Sequence, residues 1–170
     1  MSFPHRSLPE LVLVADDTTL NLSKETDIAF RATLAPEYNA IGQKICDLAW
    51  GRYVSKDVAV EKARWVHYRE MDQAPAVQWR KRMFPKSKPL LVVHGVVGMQ
   101  SVLSESGGQG LLPCLVGDEE PELRRIGEPI AHNELWVLRH ENLRRSARVR
   151  AMLDFLVPRI RSERARLEAN

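Results

Sequence analysis

Residues 111–123 read LLPCLVGDEEPEL, and the reading of the fold turns on this stretch and its neighbours. Leu111 to Val116 is a short continuous apolar run, the pattern of a strand covered on both faces. Pro113 lacks a backbone donor, so it belongs at the end of that strand rather than its centre. Glu119-Glu120 then reads as turn chemistry rather than a catalytic pair, because adjacent residues do not automatically converge on one site. Immediately upstream, Ser106-Gly107-Gly108 breaks a helical stretch running from Val96 to Glu105, and Leu90 to Val93 reads as a strand before it. Downstream, Glu134 to Leu138 reads as another short strand. Val149, Met152, Leu153, Leu156 and Ile160 then recur at the spacing of one helix face. Pro158 withholds a donor from the carbonyl of Asp154, which predicts a bend or stop there, with a frayed tail from Ser162.

Toward the N-terminus the same alternation continues. Glu10 to Ala15 is an apolar run followed by Asp16 and Asp17, short polar residues of the kind that cap a helix at Thr18. Asp27 to Thr33 reads as a second strand and Leu48 to Val54 as a third, with a short helix over Lys56 to Ala63. From Arg64 to Pro89, Trp65, Tyr68 and Trp79 alternate with basic residues and prolines, and no period stands out. Strand and helix in alternation predict an α/β protein with right-handed crossovers.

Composition narrows the class. The 170 residues are 44% hydrophobic and 28% charged, with mean hydropathy −0.30. A chain of this length buries about 70% of the surface it exposes unfolded, so it needs no disulfide or metal staple. Cys46 and Cys114 are far apart with no CxxC and no Cys/His cluster, which argues against a structural zinc site and predicts two buried, inert thiols. His67 and His94 lack partners at ligand spacing. The N-terminus has no signal-peptide core and no apolar stretch is long enough for a bilayer, so a cytoplasmic protein is expected. Net charge is +3. From Arg139 to Arg166, however, nine arginines face only Glu141, Asp154 and Glu163. That excess reads as a solvated helix face, able to give weak, salt-dependent, sequence-blind contact with DNA.

Two places carry more chemistry. Arg31, with Thr33, lies at the carboxyl end of an apolar strand, the end that faces the ligand crevice in an open α/β sheet. A guanidinium there holds a carboxylate through two parallel hydrogen bonds, which lysine does not match. Val93-His94-Gly95-Val96 joins a strand end to a helix start, where free backbone donors suit an anion. Gly107-Gly108-Gln109-Gly110 follows a helix and precedes a strand, the reverse of a phosphate-loop context.

The stretch from Leu111 to Leu123 resembles the effector-binding domain of LysR-type transcriptional regulators. The likeness continues through Glu134-Leu135-Trp136-Val137-Leu138-Arg139-His140 and the arginine-rich helix start Leu143 to Ala151. Upstream, Leu13 to Asp16 with Asp27 to Arg31 is similar to the family's strand, short helix and strand. The resemblance runs from about Leu8 to Pro158. It implies a periplasmic-binding-protein-like fold (type 2) of two α/β lobes with crossovers. Lobe one is expected over 1–52 and 131–170, and lobe two over 53–130. It implies a small, often anionic effector between the lobes, with Arg31 and Thr33 on one side and His94 and Gly95 on the other. Neither cofactor, metal nor catalytic residue is implied, nor any membrane contact.

The likeness begins at the family's second strand. Lobe one is therefore expected to be truncated, without the helix-turn-helix domain through which DNA would be bound and without the first strand-helix unit. Exposed strand edges would then favour a homo-oligomer or a loosened lobe one, unless Leu11–Ala15 re-pairs with Ile28–Ala32. Gln109 would fall in a buried strand, at a cost of roughly 1–3 kcal/mol unless it finds a partner. Three other readings are an enzyme on the same two-lobed fold, such as a prephenate-type dehydratase, a stand-alone metabolite-binding module, and a gene remnant without function. The enzyme needs a convergent acid or base in the cleft, and the sequence shows none.

Overall fold

The computed structural model describes residues 27–33, 40–69 and 71–170. In chain order its elements are β1 (Ile28–Thr33), β2 (Ala40–Ser55), β3 (Val66–Tyr68), α1 (Pro75–Met83), β4 (Leu91–Val93) and α2 (Gly95–Ser106). There follow β5 (Gln109–Pro113), α3 (Cys114–Gly117), β6 (Leu123–Arg125), β7 (Ala131–His140), α4 (Ala147–Ser162) and α5 (Arg164–Glu168). The larger sheet runs β1-β7-β2-β5, with β6 also on β2, and all its pairings are antiparallel. β3 and β4 form a separate parallel pair. A continuous apolar run says that both faces of a strand are covered, and says nothing of the direction of its partner.

β2 is sixteen residues long, more than twice the span read from Leu48 to Val54. Its first half was hidden by a bulge: Lys44 pairs with Trp136 but Cys46 pairs with Leu135, so Ile45 is an extra residue. Ile45 and Cys46 are consequently both buried, and the two-residue alternation that marks a strand is lost. Beyond the bulge β2 passes from one core to another. One core gathers Trp50, Tyr53, Trp65, Tyr68, Met99 and Leu112 with residues of α1 and α2. The other gathers Ile45, Cys46, Val137, Val157 and Leu167.

The chain also departs from expectation between β2 and α2. Lys56 to Ala63 makes turns, not a helix. Ser55 O accepts from Val58 N, Ala59 O accepts from Lys62 N, and Val58 O is taken by the Arg124 side chain. β3 and α1 occupy the stretch where no period stood out. Pro75 there opens a helix at its first turn, the one helical position where its missing donor costs nothing. Asp72 ties this segment down, pairing with Lys81 Nζ and His67 Nε2 at 3.0 Å each. Lys81, and after it His67, hold the Asp72 carboxyl below its ordinary value. A depressed carboxyl contributes stability above its unfolded pKa and loses it as pH falls through the folded one. The difference in urea midpoint between wild type and Asp72→Asn should therefore shrink on acidification below about pH 4. A difference independent of pH would show that the carboxylate plays no part.

Gln109 is buried and finds its partners. Its Nε2 donates to Ala63 O at 2.5 Å, and its Oε1 accepts from Arg52 Nε at 2.8 Å and also from Arg52 Nη2. The Arg52 guanidinium lies over the rings of Phe84 at 4.9 Å and Trp65 at 5.3 Å, and burial pulls its pKa below the ordinary value. The C-terminal segment is likewise more ordered than its composition predicts. α4 continues through Pro158 to Ser162, since Pro158 and Asp154 lie on the exposed side where water reaches the freed carbonyl. The tail is not frayed: α5 buries Leu167, and Glu168 Oε1 accepts from Asp47 N of β2. The apolar run Glu10–Ala15, its capping aspartates and any re-pairing with β1 lie outside the described residues.

Candidate functional site

β3 and β4 run parallel in the register Val66↔Leu91, His67↔Val92 and Tyr68↔Val93. α1 follows β3 after a short turn and α2 follows β4 through His94, so both helices start from the carboxyl end of this pair. Neither N-cap, Ala74 or His94, caps the first turn of its own helix with a side-chain hydrogen bond. The first backbone donors of each helix have no partner within the helix, and the peptide dipoles add partial positive charge. Gly95 is buried at φ 65°, a left-handed backbone that a side chain would strain, while His94 beside it is exposed. Ala76 and Val77, in the first turn of α1, are buried as well.

Arg31 and Thr33 belong to β1, on the sheet that carries the second core. Arg31 is half-buried and lies opposite Trp136 of β7, and Thr33 lies opposite Glu134. Glu134 accepts from Lys44 Nζ and from Trp136 Nε1, each at 3.0 Å. Lys44 in turn pairs with Asp47 at 2.8 Å. These bonds, Lys44 first, hold the Glu134 carboxyl below its ordinary value. The four residues singled out in the sequence thus lie two on β1 and two at the start of α2.

None of the four lines the cavity of about 260 Å³ between α3 and α5, where Cys114, Asp118, Arg125 and Arg166 meet. Both thiols are free and buried, and burial pushes Cys46 up. Glu119 pairs with Arg166, and Glu120 accepts from Gln100 Nε2 and Glu122 N, as turn residues do. Among the described residues no group of three His, Cys, Asp or Glu side chains could hold a metal ion, and no helix is long and apolar enough to cross a membrane.

Two polar residues at the junction of the cores escaped the sequence reading. Trp50 and Asn133 are nine-tenths or more buried, yet Trp50 Nε1 and Asn133 Oδ1 have no hydrogen-bond partner. Trp50 was legible only as part of an apolar strand. Asn133 stands just before the stretch read as the next one.

The architecture is two cores threaded by an antiparallel pair of strands, β2 and β7. No family model and no curated protein sequence matches the chain. Solved structures do. The effector domain of the regulator AmpR from Pseudomonas aeruginosa superposes with TM-score 0.68 at 12% identity, over 85% of this chain and 77% of that one. CrgA, a LysR-type regulator from Neisseria meningitidis, gives 0.72 at 18%, over 89% of this chain and 58% of that one. The regulatory domain of CcmR from Synechocystis PCC6803, solved in complex with 2-PG, gives 0.60 at 13%, over 80% and 74%. The chain has the two-lobed, periplasmic-binding-protein-like fold of LysR-type effector-binding domains.

Proposed function

We propose that the chain is the effector-sensing domain of a LysR-type transcriptional regulator, a non-enzymatic module for a small anion. The observation that supports it most directly is the pairing of this fold with two uncapped helix starts at one end of β3–β4. In this reading lobe one comprises 1–52 and 131–170, lobe two comprises 53–130, and the effector lies between them. Arg31 and Thr33 hold it from lobe one, His94 and Gly95 from lobe two. A ligand that binds the closed arrangement more tightly than the open one shifts the balance between them, and so acts on whatever the lobes are attached to. Specific contact with DNA belongs to a helix-turn-helix domain outside these residues, in the cytoplasm where DNA is reached. The module also forms a homo-oligomer, for which the exposed apolar residues Leu91 and Val92 on β4 and Val97 on α2 provide a surface.

A thermal-shift screen of small carboxylates and phosphates, 2-PG among them, followed by calorimetry, tests the reading. Arg31→Ala is expected to weaken the best of these by roughly 1.5–3 kcal/mol, the worth of hydrogen bonds to a charged group. Unchanged affinity would remove Arg31 from the site. A screen in which no anion binds would remove the effector reading itself.

A further inference from the structure

We infer that Trp50 and Asn133 form a hydroxyl-binding subsite at the junction of the two lobes, so that the effector is a small hydroxycarboxylate. The inference rests on the effector-sensing reading and adds to it the chemistry of the ligand. Leu48 pairs with Asn133 and Trp50 with Ala131, so Trp50 and Asn133 are diagonal neighbours on one face of the β2–β7 ladder. Diagonal positions are about 7–8 Å apart, close enough for one small group to lie between two such side chains. The ring of Trp50 packs edge-on against that of Tyr68 at 6.1 Å. Tyr68 ends β3, and the turn to α1 begins there. Trp50, at the edge of lobe one, therefore packs against the end of lobe two from which the helices start.

The two orphaned atoms are complementary in kind. Trp50 Nε1 is a donor and Asn133 Oδ1 an acceptor, and both are cut off from protein partners. A buried polar atom without a partner costs stability. Two of opposite kind on one face are what a single hydroxyl satisfies: its oxygen accepts from the indole while its proton is donated to the amide oxygen. The carboxylate of the same molecule would be left for the helix starts or for Arg31. Because the pair is divided between the outgoing strand β2 and the returning strand β7, the hydroxyl would bind where the lobes are joined.

The test compares the full chain with Asn133→Leu, using glycerate, propionate and inorganic phosphate as probes. Propionate is the carboxylate without the hydroxyls. If the amide oxygen serves a ligand, its removal leaves the ligand-free unfolding midpoint unchanged or raises it, and weakens glycerate binding at least tenfold while sparing propionate. The indole N–H resonance of Trp50, assigned by its loss in Trp50→Phe, should move with glycerate and not with propionate. A lower ligand-free midpoint in Asn133→Leu would overturn the inference and give the amide a structural role. Glycerate and propionate binding alike in both proteins would overturn it while leaving the effector reading intact. No binding by any of the three probes to the wild-type chain would overturn both.

Discussion

Gly117→Ala is expected to destabilise the protein by about 3 kcal/mol, the upper end of what overpacking costs in a closed core. A β-carbon at Gly117 would stand 2.4 Å from Tyr53 Cζ, 2.5 Å from Cε1 and 2.6 Å from Cε2, far inside contact distance. The ring has nowhere to go. Tyr53 is fully buried, its hydroxyl donates to Asp118 Oδ1 at 2.8 Å, and Gly51 packs so near that a β-carbon there would meet Cε2 at 2.8 Å. Burial and the adjoining Asp118 also push the phenol pKa up, so Tyr53 remains a neutral donor at any ordinary pH. Urea unfolding measures the loss. A midpoint equal to that of wild type would show that the ring and α3 are not packed as described.

The second large effect is expected at Gln109. Gln109→Leu keeps the bulk but strands three groups: the carbonyl of Ala63 and the Nε and Nη2 donors of Arg52. Each unsatisfied buried group costs about 1–3 kcal/mol. Arg52 is only partly buried and water recovers some of the loss, which leaves about 3 kcal/mol for the substitution. Arg52→Met in the same background should recover part of this, because it removes the stranded guanidinium and keeps an apolar stem between Trp65 and Phe84. A double-mutant cycle by urea unfolding reads the coupling directly. Strictly additive losses would mean that Arg52 and Gln109 do not depend on each other.

What could be read from the sequence follows what each signal encodes. The glycine at 107, in the left-handed conformation at φ 66°, closes α2 where Ser106-Gly107-Gly108 predicted a break. Pro113 ends β5 and opens α3 for the reason given in advance, its missing donor. The face of α4 was legible through its spacing, although Val157, one residue off the expected set, is among its most buried members. Less was legible wherever tertiary partners replaced a local rule. The bulge at Ile45 erased the strand period, bonds from outside the segment kept 56–63 from coiling, and α5 owes its order to packing against β2. The start of α2 at His94 and Gly95 was legible, because it follows an apolar strand. Trp50 and Asn133 were not, because an indole or an amide inside a strand looks the same whether or not it has a partner. Only the packed structure shows that these two have none.

The sharing of β2 between the two cores has a mechanical consequence. Bodies joined by loose loops swing with little resistance, whereas here β2 runs on from its ladder with β7, which ends at Trp50↔Ala131, into a ladder with β5 that begins at Trp50↔Pro113. Changing the angle between the cores must therefore twist or flex that strand, which behaves as a leaf spring rather than a pin joint. Neighbouring strands already sit at about −20 to −25° to each other, and further rotation strains the bonds between them. Opening and closing should be confined to a narrow arc with a definite restoring force. Substitutions at the junction would then alter the stiffness of the movement as much as its end points.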